Sequence, residues 1–138
     1  MKKITLIFIL FGFIFCQERL PGAFSITRIQ YEGGGDWYSD PSSIPNLLKF
    51  VESETKLKLN PEERRAKIGD EIFTESPYLY LTGHGNITFS KDEAFTLRSH
   101  LKAGAFLHAD DNYGMDKSFR EQMKIVFPDK DWVELPPD

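Results

Sequence analysis

Gly104-Ala-Phe-Leu-His-Ala-Asp-Asp-Asn-Tyr-Gly-Met-Asp-Lys-Ser-Phe119 is the stretch whose reading decides the fold. Ala105 to Ala109 reads as a short strand that breaks at the adjacent carboxylates Asp110 and Asp111. Asp116 then caps a helix with Phe119, Met123 and Val126 on one face, and Pro128 marks its stop. In an α/β domain, a strand-to-helix turn of this kind is where ligands and chemistry usually sit.

The same grammar extends upstream. Tyr78 to Thr82 is a compact apolar run after Pro77, suited to a strand buried on both faces, and it stops at Gly83-His84-Gly85-Asn86. Ser90 and Glu93 form a capping box for a helix with Ala94, Leu97 and Leu101 on its buried stripe and Gly104 at its end. Phe24 to Tyr31 alternates with period two and predicts the first strand, followed by a tight loop from Glu32 to Pro41. A helix from about Ser43 places Ile44, Leu47, Leu48 and Val51 on one stripe, with Pro45 tolerated in its first turn. Lys56 to Leu59 is expected as a short edge strand, and Asn60 to Asp70 as a charged, irregular or briefly helical solvated face. Strands alternating with helices imply a doubly wound parallel sheet with helices on both faces. Only three or four strands can be counted, so the domain is read as partial, or as completed by another subunit.

The chain has 138 residues, 41% hydrophobic and 28% charged, an ordinary globular composition for one domain. Residues 1–16 read as a secretory signal: Lys2 and Lys3, then an apolar run from Ile4 to Phe15 that is short for a membrane span. Cleavage between Cys16 and Gln17 is favoured over a lipoprotein signal acylated at Cys16, because Ile14-Phe15 lacks the small residues such a site uses. Residues 17–23 are a linker, and the domain occupies 24–138. Removing Lys2 and Lys3 takes the net charge from −4 to −6, without the basic footprint that nucleic acid or an anionic membrane requires. An exported protein, periplasmic or secreted, with no membrane span after cleavage is the expectation. Cys16 is the one cysteine, so a mature chain has no disulfide and no cysteine nucleophile.

Three loops, Gly33–Tyr38, Gly83–Asn86 and Asp110–Gly114, follow three predicted strands and should converge into one crevice. They hold Asp36, Asp110, Asp111, His84, Asn86, Asn112, Tyr38 and Tyr113. Asp110 and Asp111 are candidate bases or nucleophiles, with helix or turn capping as the competing role. His84, between two glycines, is a candidate ligand contact or a backbone-bonding turn residue. His108 is expected as a satisfied buried histidine, and His100 as an exposed helix residue. Asp36, Tyr38, Asn86, Asn112 and Tyr113 are the candidate ligand-binding residues. The histidines and aspartates match no standard metal spacing, so no metal is expected. The triple glycine lacks the Lys-Ser/Thr of a phosphate loop and the spacing of a dinucleotide site, so no cofactor is expected either.

Arg28-Ile-Gln-Tyr-Glu-Gly-Gly-Gly-Asp-Trp-Tyr38, Leu79-Tyr-Leu-Thr-Gly-His-Gly85 and Phe106-Leu-His-Ala-Asp-Asp-Asn-Tyr-Gly114 together resemble the bacterial family called domain of unknown function 4159. The resemblance covers about residues 24–138. It implies a flavodoxin-like α/β/α domain of the class I glutamine amidotransferase-like superfamily, with no established activity, and family members generally continue past this chain's end. That superfamily keeps its nucleophile at an elbow that Ala109-Asp110-Asp111-Asn112 resembles. The missing cysteine removes thioester glutaminase chemistry. A weaker, fold-level similarity runs to trehalose-utilisation-type relatives. The expected function is binding of a small, carbohydrate-like ligand. The alternatives are a hydrolase using Asp110 or Asp111 with His84, and a non-catalytic partner module in a cell-envelope complex.

Overall fold

A computed structural model describes residues 23–137. The expected signal segment, and all of the expected linker except Ala23, lie outside the described residues. The elements in order are β1 (Ile26–Ile29), α1 (Ser43–Glu54), β2 (Arg64–Ala66), α2 (Glu71–Thr74), β3 (Tyr78–His84), α3 (Lys91–Lys102), β4 (Phe106–Tyr113) and α4 (Asp116–Val126). The sheet order is β2-β1-β3-β4 and every pairing is parallel. This is the strand order of a flavodoxin-like sheet up to its fourth strand.

The helices divide between the two faces. Ile44 and Leu48 of α1 pack with Ile26, Leu59 and Tyr80 on one face. On the other, Phe73 of α2, Ala94 and Leu97 of α3 and Val126 of α4 pack with Ile29, Leu79 and Leu81. The β1 residues are buried on both sides, so the period-two alternation marks the strand without marking a wet face. Thr27 and Arg28 are therefore buried polar groups that must find partners; Thr27 Oγ1 meets Ser76 Oγ at 2.6 Å.

Four expectations are corrected. The edge strand is Arg64–Ala66, inside the stretch expected to be irregular, and Lys56–Leu59 contributes one bridge from Leu59 to Phe24. Arg64 and Arg65 can occupy a strand because Glu75 and Glu63 pair with them. β4 does not end at the carboxylates. It continues to Tyr113 because β3 runs on beside it, pairing Thr82 with Asp110, Gly83 with Asp111 and, after a register shift, His84 with Tyr113. The histidines exchange their expected settings. His100 is half-buried, with Nε2 2.8 Å from the Ser76 carbonyl and its ring 4.8 Å from Phe73. His108 is exposed, with Nδ1 3.0 Å from the Tyr78 hydroxyl. Finally, Asp116 is the first residue of α4 and pairs with Arg120, while the carboxylate bonded to that helix's N-terminus is Asp111.

β4 pairs with β3 alone among the described residues, and its α1-side residues Phe106, His108 and Asp110 are exposed. No helix of the described residues is long and apolar enough to cross a membrane.

Candidate functional site

The loop after β1 meets the end of β3 and the turn that follows it, and the end of β4 joins them. Gly35 N–H donates to the Asn86 carbonyl at 3.0 Å, Asp36 N–H to the His84 carbonyl at 3.2 Å, and Thr88 N–H to the Glu32 carbonyl at 2.7 Å. Gly85 N–H reaches the Tyr113 carbonyl at 3.4 Å, tying in the end of β4. The close approach depends on glycine. A Cβ on Gly35 would lie 2.8 Å from the carbonyl oxygens of both His84 and Asn86. Gly83 has φ +146°, and a Cβ there would lie 2.2 Å from the Tyr31 hydroxyl. Glycine tolerates that backbone and that contact; other residues do not.

At the centre of this crest is a carboxylate–imidazole pair. His84 N–H donates to Asp36 Oδ1 at 2.5 Å, and His84 Nδ1 lies 3.1 Å from Asp36 Oδ2. The backbone N–H first, and the imidazole second, hold the Asp36 carboxyl below the usual carboxylate range against partial burial. The His84 side chain is 53% exposed, and its Nε2 makes no hydrogen bond among the described residues. Behind the pair, Tyr31 donates its hydroxyl to the Thr82 carbonyl at 3.0 Å. Burial, then the Asp36 charge, pushes the Tyr31 phenol up to about 12.

Asn112 joins the crest from β4. Its Nδ2 donates to Ser39 Oγ at 3.0 Å and to Asp40 Oδ2 at 2.5 Å. Its Oδ1 lies 3.4 Å from the Thr82 hydroxyl. Tyr38 and Tyr113 are largely exposed, at 62% and 82%, with Trp37 edge-on to Tyr38 and half-buried against the core. Asn86, whose carbonyl accepts from Gly35, is exposed.

Asp110 and Asp111 part company. Asp111 accepts from Met115 N–H at 2.9 Å through one oxygen and from Asp116 N–H at 3.1 Å through the other, a carboxylate at a helix N-terminus. Asp110 lies on the opposite face, where Tyr80 donates its hydroxyl to Oδ2 at 3.1 Å. Burial chiefly, and Asp110 in part, raises the Tyr80 phenol above its ordinary value. His84, Asp36, Asn86, Asn112, Tyr38 and Tyr113 thus gather around the crest, Asp110 lies down one face, and Asp111 is engaged by α4.

Sequence reasoning missed the residue beneath the loop. Arg28 is fully buried, with Nε 2.9 Å from Glu63 Oε2. Its other nitrogens donate to the carbonyls of Trp37 (3.3 Å), Ser39 (2.8 Å) and Asp40 (3.2 Å) and to Ser43 Oγ (3.3 Å). The available signal was an arginine between Ile26 and Ile29 at a position in phase with the apolar residues Phe24 and Ile26. No group of three or more His, Cys, Asp or Glu side chains among the described residues is arranged to hold a metal ion.

Fold and site together define a parallel α/β domain of flavodoxin-like order with a polar crest at its strand ends. The family model described as Domain of unknown function (DUF4159) matches residues 25–138, and the chain belongs to that family. No curated protein matches the chain.

Proposed function

We propose that this is an exported domain that binds a small, neutral, carbohydrate-like ligand at the crest. The observation that carries the reading is the Asp36–His84 pair, held by backbone bonds between two loops and open on its outer side. A carboxylate, an imidazole with one free nitrogen, the exposed amide of Asn86 and the exposed rings of Tyr38 and Tyr113 supply acceptors, donors and stacking surfaces, while Asn112, bonded to Ser39 and Asp40, braces the crest. Those are the groups a polyol ring uses. Export rests on the charged and apolar pattern of residues 1–16.

The second reading, a hydrolase, is favoured by the same pair rather than by Asp110 or Asp111. Asp36 orients the imidazole through Nδ1, leaving Nε2 to take a proton from water, the arrangement of a general base. Asp111, with both oxygens bonded to the helix N-terminus, is poorly placed for a proton transfer. The parallel strand order supports membership of the glutamine amidotransferase-like superfamily at the level of fold, without its cysteine chemistry. A partner module in an envelope complex is the remaining reading; no particular contact favours it.

Thermal-shift screening of neutral mono- and disaccharides tests the leading reading. A stabiliser should emerge, and its effect should vanish in Asp36→Asn and His84→Ala. A stabiliser that acts equally on both variants, or none in the panel, would remove the crest as the binding site. Turnover of an ester or glycoside panel that is lost in His84→Ala would select the hydrolase.

A further inference from the structure

Burying an arginine is costly, and an apolar side chain would fill the same slot in β1 without that cost. What an apolar residue cannot do is donate. The guanidinium of Arg28 places five N–H donors, and they meet Glu63, the carbonyls of Trp37, Ser39 and Asp40, and the Ser43 hydroxyl. Three of those partners are backbone carbonyls of one short segment, which begins at the residue after Asp36. The Glu63 side chain is itself 6% exposed and neutralises the charge, with Arg65 on its other oxygen. The Tyr80 ring lies under the guanidinium at 5.4 Å from its centroid.

We infer that Arg28, with Glu63, is the positioning residue of the crest: its guanidinium fixes the Trp37–Asp40 segment, and that segment sets Asp36 against His84. The inference rests on the reading of Asp36 and His84 as the site. It gives the arginine a role apart from stability. The Asp36 carboxyl is depressed by its bonds to His84, so its titration reports how well the loop holds that geometry. The titratable groups facing Asp36 are His84 and Tyr31.

The test is a pH titration of the Asp36 side-chain carbonyl by carbon NMR, with hydrogen exchange at the Gly35 and Asp36 amides, on the ligand-free chain. Arg28→Met/Glu63→Met removes both charges together, so net charge is unchanged and neither partner is left buried alone. The inference predicts that this folded variant titrates Asp36 at a higher pH than wild type and loses protection at both amides. An unchanged midpoint with unchanged protection would overturn it. If the double variant does not fold, Arg28→Lys decides. It keeps the charge but not the planar fork, and the same upward shift supports the inference while a wild-type midpoint overturns it. Because the titration needs no ligand, its failure is separate from a failure of the sugar screen.

Discussion

His84 holds Asp36 twice: its backbone N–H donates to Oδ1 at 2.5 Å and its Nδ1 lies 3.1 Å from Oδ2. Both bonds favour the ionised carboxylate, which gives stability a pH dependence. A group whose folded pKa is depressed contributes stability above its unfolded pKa and loses it as pH falls through the folded value. Asp36 should therefore stabilise the domain at neutral pH and stop doing so on acidification below the usual carboxylate range. Urea denaturation of wild type and Asp36→Asn checks this: the wild-type advantage should shrink from pH 7 to strong acid.

Gly83→Ala should be among the most damaging small substitutions in the chain. The new methyl would lie 2.2 Å from the Tyr31 hydroxyl and 3.0 Å from the Asp36 carboxylate, on a backbone with φ +146°. Strain of this kind costs about 1–3 kcal/mol before the clash is counted. Tyr31→Phe removes the oxygen that is struck. On its own it should cost about 1 kcal/mol for the lost bond to Thr82. Combined with Gly83→Ala it should recover part of the loss, and a double-mutant cycle by denaturation measures that coupling.

Asp111 separates capping from chemistry. Removing its bonds to Met115 and Asp116 with Asp111→Ala should cost ~1 kcal/mol, as loss of a helix cap does. Asp111→Asn should cost less, because asparagine also accepts from helix N–H groups. Neither substitution should alter ligand-induced stabilisation. Loss of ligand response or turnover in folded Asp111→Asn would return this residue to the site.

Tyr31 gives a signature at the alkaline end. Its phenol is pushed from 10.0 to about 12 by burial and by Asp36. A raised folded pKa on a tyrosine means that its contribution is complete below the unfolded value and is lost as pH rises through the folded one. Ultraviolet titration should show a phenol ionising at about 12 that is missing from Tyr31→Phe. Stability should fall more steeply between pH 10 and about 12 in wild type than in Tyr31→Phe.

Much of the frame was legible because it follows local rules. The Ser90–Glu93 capping box, the apolar run of β3 and the glycines at the strand ends all declare themselves in a few residues. The misses are those where distant residues decide. β2 offers one buried side chain, Ala66, among its three residues, and its arginines become acceptable only beside Glu63 and Glu75. Asp110 and Asp111 look like strand breakers until β3 supplies a ladder beyond Thr82. Asp36 reads as a loop carboxylate, but its partner lies 48 residues away. Arg28 shows itself only as an arginine in phase with Phe24 and Ile26, because three of its partners are backbone carbonyls, which carry no sequence signal.

The central claim is that the pair Asp36–His84 marks a ligand site, and amide chemical-shift mapping addresses it most directly. With neutral mono- and disaccharides titrated into labelled protein, shifts should concentrate at residues 35–38, 83–86 and 112–113 and disappear in Asp36→Asn. Shifts confined to other surfaces, or none with any sugar, would contradict it.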